Sequence, residues 1–334
     1  MSRARPLLVT GASGFLGRHL LTSLVREDAD RPVVVLTRDR RAWQSAVWRP
    51  SLPNVEVIEG SIERPAEWAH APALADLSGI FHLAATVRHR HSTEYEQERA
   101  DIDGAMEMIR LAVRTGARVI SASTSGTVGC SADPAAAPDE EAPWCHDAVA
   151  QWPYYRGKIE AERVTRELAT ALGVTLVIVR PPVLMGPGDH RGRSTRHVLR
   201  FISGRLPFVV QGGMHFVDVR DVADALVAAM RHPSPRPVYH LPGHASTIPE
   251  FFGTVAVVAD RRPPRVVLPV RLAWWMATLL RPLHLLPDPT AVEMASRYWG
   301  LSSRYAEPDL GHRPRAAAET LGDTVRWLRE SGAR

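Results

Sequence analysis

Tyr154 and Lys158 stand four residues apart in Tyr154-Tyr155-Arg156-Gly157-Lys158, so on a helix they share one face. A phenol with an ordinary pKa near ~10 exchanges protons poorly at neutral pH. An ammonium beside it stabilises the phenolate and brings it toward the working range. The pair is therefore fit to protonate an alkoxide or to deprotonate an alcohol. Thr124, in the run Ser123-Thr124-Ser125, offers a hydroxyl to hydrogen-bond an oxygen on which charge develops. Of 41 basic residues in the 334-residue chain, Lys158 is the only lysine. A lysine kept against such an arginine bias does something that arginine's planar, permanently charged fork does not.

The second chemical feature lies at the other end of the chain. Thr10-Gly11-Ala12-Ser13-Gly14-Phe15-Leu16-Gly17 follows the apolar run Pro6-Leu7-Leu8-Val9 and opens into the helical pattern Arg18 to Val25. Strand, glycine turn and helix in that order make a dinucleotide pyrophosphate cradle, with the helix N-terminus facing the negative charge. A nicotinamide held there exchanges hydride while Tyr154, Lys158 and Thr124 handle the proton.

The elements that must position these groups follow from the pattern between them. Arg31 to Arg38 is a second buried strand, ending in Thr37-Arg38 with Arg40 and Arg41 close behind. Arginine at this strand end suits a ribose 2′-phosphate, which favours NADP; NAD, held by Asp39, is the less favoured alternative. Further strands are expected at 54–60, 78–85, 117–122, 174–180 and 238–241, and a short one from Phe216 runs into a helix that Asp221 would cap. Helices are expected at 98–115 and from Pro153 to Gly173. The alternation predicts an α/β fold, a Rossmann-type doubly wound parallel sheet with a smaller, mostly helical C-terminal substrate region. The nucleotide-binding domain is expected at 1–183 and about 212–241, and the substrate region at about 184–211 and 242–334.

Composition narrows the partners. Apolar residues make up 45% and charged residues 23%, as in ordinary globular proteins. The formal net charge is +5, yet no block of like charge reads as a nucleic-acid arm, so a small-molecule substrate is expected and no nucleic acid. His82 lies inside an apolar strand and reads as a satisfied core histidine. Arg88-His89-Arg90-His91 has a His-x-His spacing that nothing completes, so no metal is expected. The basic stretch His190 to Arg196 fits either an anion clamp or a solvated loop. Leu272 to Leu280, between Arg271 and Arg281, is too short to span a bilayer. A core or pocket helix is favoured there over an interfacial one. Cys130 and Cys145 are expected to be free thiols, and a first strand within a few residues of Met1 leaves no leader, so a cytoplasmic setting is expected.

With these pieces together, the chain resembles the extended short-chain dehydrogenase/reductase superfamily, the NAD-dependent epimerases and dehydratases. The resemblance rests on TGASGFLG (10–17), HLAA (82–85), the STS cluster before Gly129, YYRGK (154–158), RPPVLMGPGD (180–189) and FVDVRDVA (216–223). It implies Thr124, Tyr154 and Lys158 as catalytic residues. It implies cofactor contacts from Gly11, Ser13, Gly14, Phe15, Leu16, Gly17, Arg38, Ser61, Ile62, Leu83, Ala84, Ala85 and Pro181, with Tyr154 and Lys158 also on the nicotinamide side. A homodimer is a family expectation. Two positions depart from the family pattern: Gly60-Ser61 replaces Gly-Asp after the third strand, and Asp101 replaces the usual asparagine. Val183 stands where the sugar-nucleotide branches carry an asparagine, and Thr37-Arg38-Asp39 with Pro181-Pro182 looks more like the dihydroflavonol-reductase and 3β-hydroxysteroid-dehydrogenase branches. The expected activity is NADP-linked interconversion of a hydrophobic ketone or aldehyde with its alcohol. The alternatives are a nucleotide-sugar epimerase or dehydratase with tightly held NAD, and a non-catalytic dinucleotide sensor.

Overall fold

In the computed structural model, residues 4–85, 94–206, 208–281 and 286–332 are described, with the side chains of 94–98 and 100 excepted. Chain order is β1 (Leu7–Thr10), α1 (Phe15–Glu27), β2 (Val33–Thr37), α2 (Arg40–Gln44), β3 (Val55–Glu59), β4 (Gly79–His82), α3 (Glu94–Thr115) and β5 (Arg118–Ala122). There follow β6 (Cys130–Ser131), α4 (His146–Val149), α5 (Pro153–Ala171), β7 (Leu176–Arg180), β8 (Val183–Met185), α6 (Arg196–Ile202), β9 (Val209–Val210), β10 (Gly213–Asp218), α7 (Val219–Arg231) and β11 (Val238–His240). The C-terminal part holds β12 (His244–Thr247), α8 (Ile248–Val258), β13 (Val267–Leu268), α9 (Val270–Leu279), α10 (Pro289–Ala295), β14 (Tyr298–Trp299), α11 (Ala306–Leu310) and α12 (Ala317–Glu330).

Seven strands form the main sheet in the order β11-β7-β5-β4-β1-β2-β3, and every pairing is parallel. Parallel strands covered on both faces read as continuous apolar runs, as Leu7-Leu8-Val9 and Val33-Val34-Val35-Leu36 do. One face packs on α1 and α7 through Leu20, Leu21, Leu24, Val222 and Leu226; the other packs on α3 and α5 through Met108, Ile109, Ala112 and Ala169. The strand order reverses between β1 and β4, so a crevice opens beyond their carboxyl ends, where ligands of such sheets bind.

A second, mixed sheet follows β12-β10-β14-β6, with β8 alongside β10, and packs with α6, α8 and α12 around Phe216, Phe251 and Leu321. Two local expectations change. Asp218, not Asp221, caps α7, accepting from Arg220 N at 2.9 Å; Asp221 instead accepts from Arg315 N at 2.7 Å and ion-pairs with its guanidinium. The segment 272–280 is helical, but only Ala273 and Ala277 are buried; Leu272, Trp275 and Leu279 face outward. His89 and His91 lie outside the described residues, and no group of three or more metal-ligating side chains occurs among those described.

Burial holds His82 and His197 neutral, at about 3 and about 4 respectively, against 6.5 in water. Between those values and 6.5 the unfolded chain binds protons that the native chain does not, so stability falls as pH drops through this window. Urea unfolding at pH ~7.5 and at pH ~5 is expected to show lower stability in acid with a slope of about two protons from these residues. A flat profile, or one that His82→Gln leaves unaltered, contradicts this.

Candidate active site

The carboxyl ends of the parallel strands gather most of the chemically marked residues along one edge. At β1 the chain turns through Gly11, whose φ of +71° is left-handed, and a Cβ there would meet Ala84 N at 2.7 Å. The turn after β1 thus packs closely on Leu83 and Ala84, just past the end of β4, with Ala85 next in the chain. Thr10 locks the junction: its hydroxyl accepts from Ala84 N at 3.2 Å and lies 3.0 Å from His82 Nδ1. Gly17 packs so tightly on the turn that a Cβ would lie 2.2 Å from Gly11 O. Gly14 is the N-cap of α1, so the helix amide end points out of the loop formed by Ser13, Gly14, Phe15 and Leu16.

Arg18, one residue beyond the glycine turn, adds a cation that the sequence did not single out. Its Nε donates to Ser13 O at 3.1 Å and its guanidinium lies 4.1 Å over the Trp48 ring. Its Nη1 is buried with no hydrogen-bond partner. Burial and the nearby Arg191 charge lower it to about 10 from 12.5, against an opposing pull from Asp189. A buried, unsatisfied cationic nitrogen beside a phosphate cradle fits an anion.

Arg38 is exposed just past the end of β2, which lies next to β1. Asp39, the alternative ribose partner, caps α2 by accepting from Ala42 N at 2.8 Å. Ser61 and Ile62, at the end of β3, are buried, with Ser61 O accepting from Trp68 Nε1 at 2.8 Å. At the end of β7, Pro181 O accepts from Ser125 N at 2.9 Å, joining it to the hydroxyl cluster after β5. There Thr124 Oγ1 accepts from Gly126 N at 3.2 Å, which leaves its own hydrogen available.

Tyr154 and Lys158 occupy the first turns of α5, begun by Pro153. The Tyr154 ring is half exposed and stands edge-on to Tyr155 at 5.1 Å. Tyr155 is the more buried of the pair. It lies on Gly126 and 4.9 Å from the Trp299 ring, and burial pushes its hydroxyl well above the ordinary phenol range. Lys158 reaches the β4 end, where its charge, after burial, further disfavours protonation of His82. One turn on, Glu162 is buried and accepts from both Arg180 and Ser123. Glu162 carries no motif signal beyond its spacing, four residues past Lys158, and Arg180 opens the 180–189 motif without a role assigned to it there.

The basic stretch 190–196 is an ordered turn. The buried Asp189 carboxylate accepts from the backbone of Arg193, Ser194 and Thr195 at 2.9–3.2 Å and from Thr195 Oγ1 at 3.1 Å. His19 Nε2, 2.8 Å from Pro187 O, fastens α1 to this loop, and Arg193 lies within electrostatic range of Arg38 and Tyr154.

The family model of the NAD dependent epimerase/dehydratase family matches residues 7–241. Over 97% of the chain and 98% of the relative, it is 29% identical to sterol demethylase protein B of Methylococcus capsulatus. It is 26% identical to dihydroflavonol 4-reductase of Hordeum vulgare over 77% of the chain and 75% of the relative. The crystal structure of gox2253 superimposes with a TM-score of 0.80 at 26% identity, covering 98% of each chain. The chain belongs to the NAD-dependent epimerase/dehydratase family, and is an NAD(P)-dependent oxidoreductase of the extended short-chain dehydrogenase/reductase type.

Proposed function

We propose that the chain is an NADP-linked reductase of a hydrophobic carbonyl compound. The reading is carried by the placement of Tyr154 and Lys158 on the open first turns of α5, beside the strand ends that hold Thr124 and Pro181. The residues fit a dinucleotide: the glycine turn leaves no space for side chains, and Arg18 has a buried nitrogen to spare. Gly11, Ser13, Gly14, Phe15, Leu16 and Gly17 would line its pyrophosphate, Arg38 its 2′-phosphate, and Leu83, Ala84, Ala85 and Pro181 its nicotinamide half. When bound, the nicotinamide supplies or takes the hydride at the carbonyl carbon.

The chain's own part is the proton. Tyr154 gives its hydroxyl proton to the carbonyl oxygen, which becomes the alcohol, and the phenolate left behind is balanced by the Lys158 ammonium. Thr124, its oxygen already accepting from Gly126, turns its hydrogen toward the same oxygen. The reverse transfers oxidise the alcohol.

An apolar substrate is supported by Val183 at the position of the sugar-binding asparagine and by the aromatic and aliphatic residues of the C-terminal part. It is also supported by relatives named for a sterol and a dihydroflavonol. The free thiols Cys130 and Cys145 fit the cytoplasm.

A screen of ketones, aldehydes and secondary alcohols with both cofactors tests this. NADPH oxidation with an apolar ketone is expected. Arg38→Ala is expected to raise KM for NADPH roughly 10- to 100-fold, as loss of charge-assisted bonds does, with NADH use unaltered. Absence of turnover with every carbonyl, together with NAD released on heating, overturns the reading in favour of an epimerase.

A further inference from the structure

We propose that the outward face of α9 and the segment before it dock on a membrane surface carrying anionic phospholipid. Ten large apolar side chains are exposed among the described residues, and five of them, Val266, Val267, Leu272, Trp275 and Leu279, fall within fourteen residues. On α9, Leu272, Trp275 and Leu279 are spaced three and four apart, so they make one stripe. Trp275 is 67% exposed and Leu279 78%. The helix cannot turn this stripe inward. Its opposite side is fixed by Ala273 and Ala277 against Phe208, Val210 and Val292.

Charge identifies the occupant. From Arg261 to Pro287 the sequence has five arginines, at 261, 262, 265, 271 and 281, and no acidic residue. That equals the formal net charge of +5 for the whole chain. All five are exposed. Among the described residues only Arg281 has an ion pair, at 3.5 Å to Asp288. Mostly unpaired, exposed arginines in the same stretch as a tryptophan-bearing apolar stripe are the pattern of an interfacial helix. Tryptophan favours the headgroup level, and arginine is drawn to anionic lipid within a Debye length. A second copy of the chain is the poorer occupant. A two-fold contact sets the patch against itself, and the arginines of both copies would then meet with no carboxylate among them. The length of α9, ten residues, lets it lie in the interface but not cross it, and no described helix is long and apolar enough to cross.

The test is co-sedimentation of the full chain with vesicles of phosphatidylcholine alone and with about a third phosphatidylglycerol. Binding is expected to the anionic vesicles and to weaken with added salt. The double substitution Trp275→Ser with Leu279→Ser, and separately Arg261→Glu with Arg265→Glu, are each expected to lower binding about tenfold or more, with melting temperature and dinucleotide affinity unchanged. No sedimentation with anionic vesicles, or equal sedimentation of the variants, overturns the proposal. Light scattering that shows an oligomer dissociated by the Trp275 and Leu279 changes assigns the face to a second copy instead, and also overturns it. Vesicle binding does not depend on which substrate is reduced, so either outcome leaves the reductase reading to its own assay.

Discussion

Tyr154→Phe is expected to lower kcat by about a thousandfold while melting temperature and dinucleotide affinity hold. The substitution removes one oxygen from a half-exposed ring whose hydroxyl bonds no described protein group. The ring keeps its edge-on contact with Tyr155, so packing has little to lose. What is lost is the proton donor. Steady-state turnover of the ketone found in the screen measures this, with fluorescence titration of the dinucleotide as the control. Tyr155→Phe is the informative contrast. That neighbour packs against Trp152, Trp299 and Gly126, and removal of its hydroxyl is expected to spare kcat. If the Tyr154→Phe enzyme keeps activity within about tenfold of the parent, or if Tyr155→Phe is the inactive one, the assignment of the proton donor is wrong.

The fold was legible because each buried strand of the sheet announces itself as an apolar run. Leu7-Leu8-Val9 and Val33 to Leu36 are examples, each punctuated by a glycine, proline or charged turn. The glycine turn was legible for a harder reason. Its close contacts with Leu83, Ala84 and its own carbonyls leave no volume for a Cβ, so the residue types record the geometry. The N-cap of α7 was not legible at that level, since Asp218 and Asp221 are three apart and either serves as an acceptor for a first turn. A distant arginine, Arg315, decides between them by engaging Asp221. Arg18 was missed because one arginine among 40 carries no signal; only its burial without a partner sets it apart. The exposure of α9 likewise depends on which side meets Phe208 and Val210, a contact between residues far apart in the chain. Periodicity gives a helix its stripe but does not say whether a core covers it.

Glu162→Ala is expected to cost about 3–5 kcal/mol of stability, because it leaves Arg180 charged, buried and uncompensated. The pair is closed on every side. Arg180 Nε lies 3.1 Å from both carboxylate oxygens and its Nη2 bonds one of them, while Ser123 Oγ and Trp144 Nε1, the latter at 3.0 Å, donate to the rest. Burial alone would raise the Glu162 carboxyl; the bonds from Arg180, Ser123 and Trp144 outweigh it and hold the group below the ordinary range. Its stabilising contribution is therefore present above the unfolded value of 4.5 and fades as pH falls through the folded one. On the far side of the guanidinium, Nη1 lies 3.2 Å from His240 Nε2, and His240 Nδ1 lies 2.9 Å from Ser302 O. With its proton on Nδ1, the neutral imidazole accepts from Arg180 rather than repelling it. These contacts join α5 to the ends of β5, β7 and β11 at a point one helical turn beyond Lys158. Loss of the carboxylate thus loosens the seat of the Tyr154 and Lys158 helix as well as the core. Chemical denaturation measures the first effect, and kcat at a temperature where the variant is folded measures the second, expected as a fall with KM little altered. The double variant Glu162→Gln, Arg180→Met removes the stranded charge and is expected to recover most of the stability but not the rate. A loss below about 1 kcal/mol in Glu162→Ala would mean that water reaches Arg180 and that the pair does not anchor the helix.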